Sequence, residues 1–237
     1  MNYKEGLLPI IAHHQDTFIK NGWMPFFDAI QKKPYFDVLN QRIMADSEKF
    51  NLFPSADNVF NAFLLLNIKD LKCVIIGQDP YQVASAAHGL AFSHPDDYPY
   101  MQPSLKNIYK ELENNGYQVN RMSGNLTPWV HQGVFLINTA LTVRESQSNS
   151  HGLLWKPIIV KLFKFLAKTV DKMVVIMWGK QAQSYSDLFE SYYLLKSGHP
   201  SPYSAHLFFN HHHFQYANEK LIEWQMTPID WSLTSQH

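Results

Sequence analysis

The chain has no excess of either charge. Twenty Lys and Arg balance twenty Asp and Glu over 237 residues, so no net field draws it to a polyanion or an anionic membrane, and any hold on nucleic acid must be local. Cysteine is nearly absent. The one thiol, Cys73, lies inside an apolar run and leaves no intramolecular disulfide to form, which fits a small buried hydrophobe in a reducing compartment. No apolar run approaches the ~18 residues of a membrane span. The start, MNYKEGLLPIIAHHQ, has neither the basic head nor the uninterrupted apolar stretch of a secretion signal. These absences lead us to expect a soluble intracellular protein. Also missing are a GxSxG elbow, a glycine-rich phosphate loop, metal-ligand spacing, an internal repeat and a long polar linker. One domain over residues 1–237 is expected, with length enough for a sizeable core.

What the chain does have is four short continuous apolar segments: KCVIIG (72–77), GVFLINTAL (133–141), KMVVIMWG (172–179) and YYLLKSG (192–198). Runs without alternation suit strands buried on both faces of a largely parallel sheet. Between them lie helical patterns. In PSLKNIYKELE, Leu105, Ile108, Tyr109 and Leu112 repeat at i, i+3, i+4, i+7. Pro157 is placed to open another helix through Ile158, Leu162, Phe163 and Leu166. The region before residue 70 reads as mostly helical, with a turn-rich stretch at 51–58, and the proline-rich 93–103 reads as an ordered loop. The expected fold class is α/β, a three-layer sandwich with a central, mainly parallel four-stranded sheet flanked by helices.

Open α/β sheets bind ligands beyond the carboxyl ends of their strands. Gln78 and Asp79 follow the first strand, Asn138 lies near the end of the second, Gly179 and Lys180 follow the third, and His199 follows the fourth. Polar groups thus converge on one edge of the sheet. Taken singly, each has an ordinary reading. Asp79 suits a helix cap or turn, Asn138 a tie between loops, Phe92 the core, and His199 a loop. Together, a carboxylate and a neutral imidazole suit cleavage of a glycosidic bond, where positive charge grows on a sugar and negative charge on the leaving group.

Seven segments, in order, carry a closer resemblance: GQDPYQ (77–82), GLAFS (89–93), PSLKNIYKEL (103–112), LINTALTVR (136–144), NSH (149–151), WGKQAQ (178–183) and HPSPYSAH (199–206). Across roughly residues 55–231, with a helical part before them, they resemble family 1 uracil-DNA glycosylase. The resemblance implies a monofunctional hydrolase that flips uracil out of DNA and cuts its N-glycosidic bond in base excision repair. Asp79 and His199 would be catalytic. Gln78, Tyr81, Phe92 and Asn138 would bind the base, and Gln82, Ser104, Lys180, Ser201 and Tyr203 the DNA. The resemblance implies no metal and no cofactor, and a monomer meeting single- or double-stranded uracil-containing DNA and protein inhibitors, away from membranes. It would work in the cytoplasm if bacterial, with a nucleus left open.

Three positions depart from the family. Gln82 stands where it usually carries a histidine that holds the nearby phosphate and water loop, Tyr203 replaces a leucine wedge, and Lys180 occupies a position often held by serine. Gln82 gives rise to an alternative, a uracil-recognising DNA-binding module with weak turnover. The run His211, His212, His213 suggests a metal-dependent phosphoesterase using Asp79, but adjacent residues cannot all point one way, so a polar loop or helix start is expected there.

Overall fold

The computed structural model describes residues 1–234. Among them are ten α-helices and six strands. In chain order they are α1 (Leu8–His13), α2 (Gln15–Lys20), α3 (Met24–Gln31), α4 (Pro34–Ser47), β1 (Leu52–Phe53), α5 (Asn61–Leu65), β2 (Cys73–Gly77), α6 (Pro103–Asn114), α7 (Thr127–Val130), β3 (Val134–Asn138), β4 (Val143–Arg144), α8 (Gly152–Thr169), β5 (Val174–Trp178), α9 (Lys180–Gln183), β6 (Tyr193–Ser197) and α10 (His213–Glu223). The expected α/β class and the four-stranded parallel sheet are both found. Its order is β3-β2-β5-β6, every pair is parallel, and β2, β3 and β5 are buried at every residue.

Strand period explains the layers. Val74 is in register with Phe135 and Val175, so these three share one face, while Asn138 and Trp178, three residues further along, share the other. On the Phe135 face, Trp23 stacks on the Phe135 ring at 5.0 Å and Phe63 of α5 meets it edge-on at 5.3 Å. On the opposite face, Trp178 is flanked edge-on by Phe208 and by Phe214 of α10. Aromatic pairs of this geometry add about 0.5–1.5 kcal/mol beyond the area they bury. The N-terminal helices therefore form one of the layers, joined to the sheet by α5 against β3 and by Trp23 on Phe135, with α3 and α4 also packed on α8, and the buried residues make one continuous cluster.

Four local expectations change. Helix α8 begins at Gly152, and Pro157 lies inside it rather than at its start. Trp155 is buried on the same stripe as Ile158, Ile159 and Leu162, and burial of that stripe outweighs the one backbone bond that proline forfeits near the helix start. The second sheet strand stops at Asn138, four residues after it begins. Residues 139–141 turn away, with the Thr139 and Ala140 N–H groups donating to the Gly77 and Gln78 carbonyls. The turn-rich stretch contains β1, which pairs antiparallel with β4. The proline-rich loop ends one residue early, since Pro103 is the first residue of α6. The histidine run is a helix start, as expected: His212 caps α10 and His213 is its first residue.

Among the described residues, no helix is long and apolar enough to cross a membrane. Two buried histidines are held neutral. His213 Nδ1 accepts from Trp178 Nε1 at 3.0 Å, His88 Nε2 lies 2.7 Å from Ser93 Oγ, and burial lowers both pKa values from 6.5 to about 4. In the unfolded chain each takes up a proton near pH 6.5, and in the folded chain only near 4. Stability is therefore full above pH ~6.5 and is lost as pH falls toward 4, by up to ~3 kcal/mol for each ring. Thermal melts from pH 8 to 4 should show the midpoint falling mainly below pH 6.5. A midpoint constant across that window would contradict it.

Candidate active site

Gly77 and Asn138 are paired across β2 and β3 at the carboxyl ends of their strands. A Cβ on Gly77 would lie 2.2 Å from Asn138 Oδ1 and 2.9 Å from Ala91 Cβ. Only glycine leaves room for the asparagine amide to lie there. That amide hydrogen-bonds to no other described residue, so no partner dictates its orientation; it is confined by the packing of Gly77 and Ala91 instead. Its donor and acceptor are both available to the cavity it lines. A second glycine serves the other side. Gly179, at φ +90°, would carry a Cβ 2.9 Å from that of His199, so the turn after β5 lets the loop after β6 approach closely.

The cavity at this edge measures about 450 Å³ and is lined by Gln78, Asp79, Tyr81, Phe92, Asn138 and His199 among others. Gln82, Ser104 and Ser201 also line it, as does Ser148. Six catalytic and base-binding residues expected from the sequence, and three of the five DNA-binding ones, thus come together. Lys180 and Tyr203 lie outside the lining. Both are exposed, Tyr203 by 95%.

Phe92 has a left-handed backbone, φ +63°, uncommon for an aromatic residue and the sort of strain that surrounding structure must hold. Two contacts hold it. Tyr81 Oη donates to the Phe92 carbonyl at 2.6 Å, and the Phe92 ring sits edge-on to Trp178 at 5.4 Å. The next residue, Ser93, is fully buried and accepts from the Leu126 N–H at 2.8 Å. Tyr81 and Phe92 are therefore one braced unit, and burial keeps the Tyr81 phenol protonated by pushing its pKa up.

Asp79 is placed by the loop before α8. Its Oδ2 accepts from the Asn149 N–H at 2.6 Å and from Ser148 Oγ at 3.1 Å. Burial pushes its pKa above the usual carboxylate range, and these two donors oppose that rise by favouring the charged form. Sequence reasoning passed over Ser148, because a serine in a polar loop gives no local sign of its partner 69 residues away. His199 Nδ1 accepts from the Ser201 N–H at 3.0 Å, which puts the ring proton on Nε2, and burial lowers its pKa. The imidazole is thus a neutral donor. The Gln78 carbonyl accepts from Thr139 Oγ1 and the Ala140 N–H, and the Gly77 carbonyl accepts from the Thr139 N–H. Because a trans peptide points its C=O and N–H oppositely, the Gln78 N–H turns away from β3 toward the β5 side. Gln181 Nε2 in turn donates to Thr139 Oγ1 at 2.9 Å.

Comparison with known proteins gives this geometry a family. The family model described as the uracil DNA glycosylase superfamily matches residues 63–222. A uracil-DNA glycosylase of Amoebophilus asiaticus is 39% identical over 217 residues, covering 90% of this chain and 98% of that one. The crystal structure of mimivirus uracil-DNA glycosylase superposes with a TM-score of 0.81 at 27% identity, covering 94% of this chain and 93% of that one. A variant of the same viral enzyme in complex with UGI gives a TM-score of 0.82 at 27% identity, over 89% and 88%. Matched over more than half its length by that model, and over nine tenths by a close relative, the chain belongs to the uracil-DNA glycosylase superfamily.

Proposed function

We propose that the cavity at the carboxyl edge of the sheet takes one uracil rotated out of DNA and that the residues lining it divide the work of hydrolysing its N-glycosidic bond. The chain is a uracil-DNA glycosylase, a hydrolase that yields free uracil and an abasic site. The observation that carries the assignment of roles is the meeting of Asp79, Tyr81, Phe92, Asn138 and His199, from four separate segments, around one cavity. We read the whole chain as one domain, since its core is a single cluster running from Tyr3 to Leu233.

Phe92 stacks on the flipped ring, and the Asn138 amide pairs with the N3 and O4 edge. Cytosine presents the opposite donor and acceptor order there, so its binding leaves buried polar groups unpaired unless the amide turns over. Tyr81 occupies the place of a C5 methyl. Loose apolar contact rejects a methyl by only ~1–3 kcal/mol, whereas a phenol tied to the Phe92 carbonyl cannot yield. Asp79 then orients a water toward C1′ and stabilises the cation-like sugar. His199 Nε2–H and the Gln78 N–H receive the charge that collects on O2 as uracil leaves. No step in this scheme calls on a metal or cofactor.

Ser104, Ser201, Gln82 and exposed Lys180 hold the phosphates around the flipped nucleotide, a local grip that suits zero net charge. Tyr203 enters the vacated stack. We read the active form as a monomer that acts inside the cell on single- or double-stranded uracil-containing DNA, with UGI-like proteins as inhibitors, since the viral relative is solved with UGI.

Three measurements test the roles. Asp79→Asn should slow release of free uracil by ~10²-fold or more while DNA affinity changes only a few-fold; an unchanged rate would remove Asp79 from the chemistry. Tyr81→Ala should release thymine from a T-containing oligonucleotide, and its failure to do so would count against the wall. Tyr203→Ala should lose more rate on duplex than on single-stranded substrate, because stacking by the wedge is worth ~1–3 kcal/mol per base. Equal losses on both forms would show that the ring does not fill the gap.

A further inference from the structure

Asp46, near the end of α4, is a buried carboxylate that the scheme above leaves without a role, and it lies outside the segment matched by the family model. Its side chain is only 5% exposed, yet three residues converge on it. Arg42 Nε donates from one turn earlier at 3.0 Å, Arg144 of β4 donates through Nε at 2.9 Å and Nη2 at 2.6 Å, and His151 Nε2 lies 3.0 Å from Oδ2. Burial alone would raise the Asp46 pKa, but these donors outweigh it and hold the carboxyl below its usual range.

The protonation of His151 follows from its other neighbours. Trp155 Nε1–H donates to Thr142 Oγ1 at 2.8 Å, and Thr142 Oγ1 lies 2.8 Å from His151 Nδ1. The ionised Asp46 carboxylate can only accept, so Nε2 carries the ring hydrogen, and in a neutral ring the bare Nδ1 accepts a hydrogen bond from the Thr142 hydroxyl. This is the neutral ring, in agreement with a pKa lowered by burial.

His151 closes the loop that holds Asp79. Residues 144–151 fold back on themselves: the Arg144 N–H donates to Ser150 Oγ, the Ser150 N–H to the Gln147 carbonyl, and Ser146 and Asn149 both take positive φ. At its tip, Ser148 Oγ and the Asn149 N–H are the two donors to Asp79 Oδ2. We propose that Asp46 is a positioning residue for Asp79: by gripping Arg144 and His151 at the two ends of this loop, it fixes the two donors that keep the essential carboxylate charged and aimed. The inference rests on the reading of Asp79 given above. The groups that face the pair are Arg42, Arg144 and His151 at Asp46, and Ser148 and Asn149 at Asp79, with His199 and Gln82 across the cavity.

The test compares Asp46→Asn with the parent enzyme by the pH dependence of single-turnover uracil release and by amide hydrogen exchange. An asparagine turns an amide N–H toward donors that need an acceptor, so the ends of the loop lose their anchor. Exchange at the Asn149 N–H should then rise at least tenfold. Asp79, deprived of its donors, should protonate at higher pH, moving the acid limb of the rate profile upward by about one pH unit with KM for DNA little changed. Arg144→Lys, which keeps the charge but loses the two-nitrogen grip, is the second variant should Asp46→Asn fail to fold, and it should move both readouts in the same direction. A lower melting temperature with the acid limb and Asn149 exchange unmoved, in whichever variant folds, would overturn the inference and leave Asp46 a purely structural residue. Full activity of Asp79→Asn would instead overturn the role of Asp79 itself, which separates the two failures.

Discussion

The close approach of Gly77 to the Asn138 side chain is the constraint on which the rest of the site depends. It requires β2 and β3 to end in the same row of the parallel ladder, with no side chain on the residue opposite the amide. Once that row is set, the peptides after β2 are fixed by the Thr139 and Ala140 N–H groups, and Asp79 emerges beside Asn138 rather than a residue earlier or later. A slip of one residue would turn Asn138 to the Phe135 face, among the aromatic rings of the N-terminal layer. The Asn138 amide and the Asp79 carboxylate, to which the proposed scheme gives base reading and catalysis, are thus placed by one hydrogen-bonding register.

Electrostatically the site depends on the protonation states of two groups. Asp79 is a partly buried carboxylate with no cationic side chain bonded to it among the described residues, so its charge is supported by the Asn149 and Ser148 donors and by its own backbone N–H. His199 is an imidazole held neutral, its Nδ1 occupied by a backbone N–H. A cationic His199 would attract Asp79 and favour protonating the base. In the proposed scheme a neutral one donates a hydrogen bond to a departing anion and leaves the field of the carboxylate directed at the sugar.

Much of this was legible in the sequence, and the remainder was hidden for identifiable reasons. The four central strands are readable because each is a continuous apolar run, and the carboxyl-edge rule brings Asp79, Asn138 and His199 together from the sequence alone. Helix α6 was readable from its apolar spacing, although the spacing gave no sign that Glu111 would be buried, accepting from the Asn210 and His212 N–H groups. Strands β1 and β4 have two residues each, too few to show a period. Pro157 misled because proline is a good sign of a helix start in general, and the apolar stripe running back to Trp155 was the stronger local signal. Ser148 could not be read, since its partner is 69 residues distant, and of the contacts to Asp46 only the pairing with Arg42 is local, His151 being 105 residues away.

In the proposed scheme the loop after β6 ties base expulsion to bond cleavage. Tyr203 projects into solvent from the short 3-10 helix Pro202–Leu207, and the same segment is hydrogen-bonded to His199: Ser204 Oγ donates to the His199 carbonyl at 2.8 Å and the Ser201 N–H to its ring at 3.0 Å. Asn107 of α6 fixes the loop from the other side by donating to the Pro200 carbonyl at 2.7 Å, three residues along the helix from Ser104. In the proposed scheme the wedge, the phosphate-gripping serines and the leaving-group donor therefore move as one body. An exposed tyrosine gains surface burial only when it enters a base stack, and flipping a base costs a few kcal/mol that stacking of this size can offset. Because Tyr203 and His199 share one short loop, the proposed scheme has the enzyme complete its donor set at the moment the nucleotide leaves the duplex.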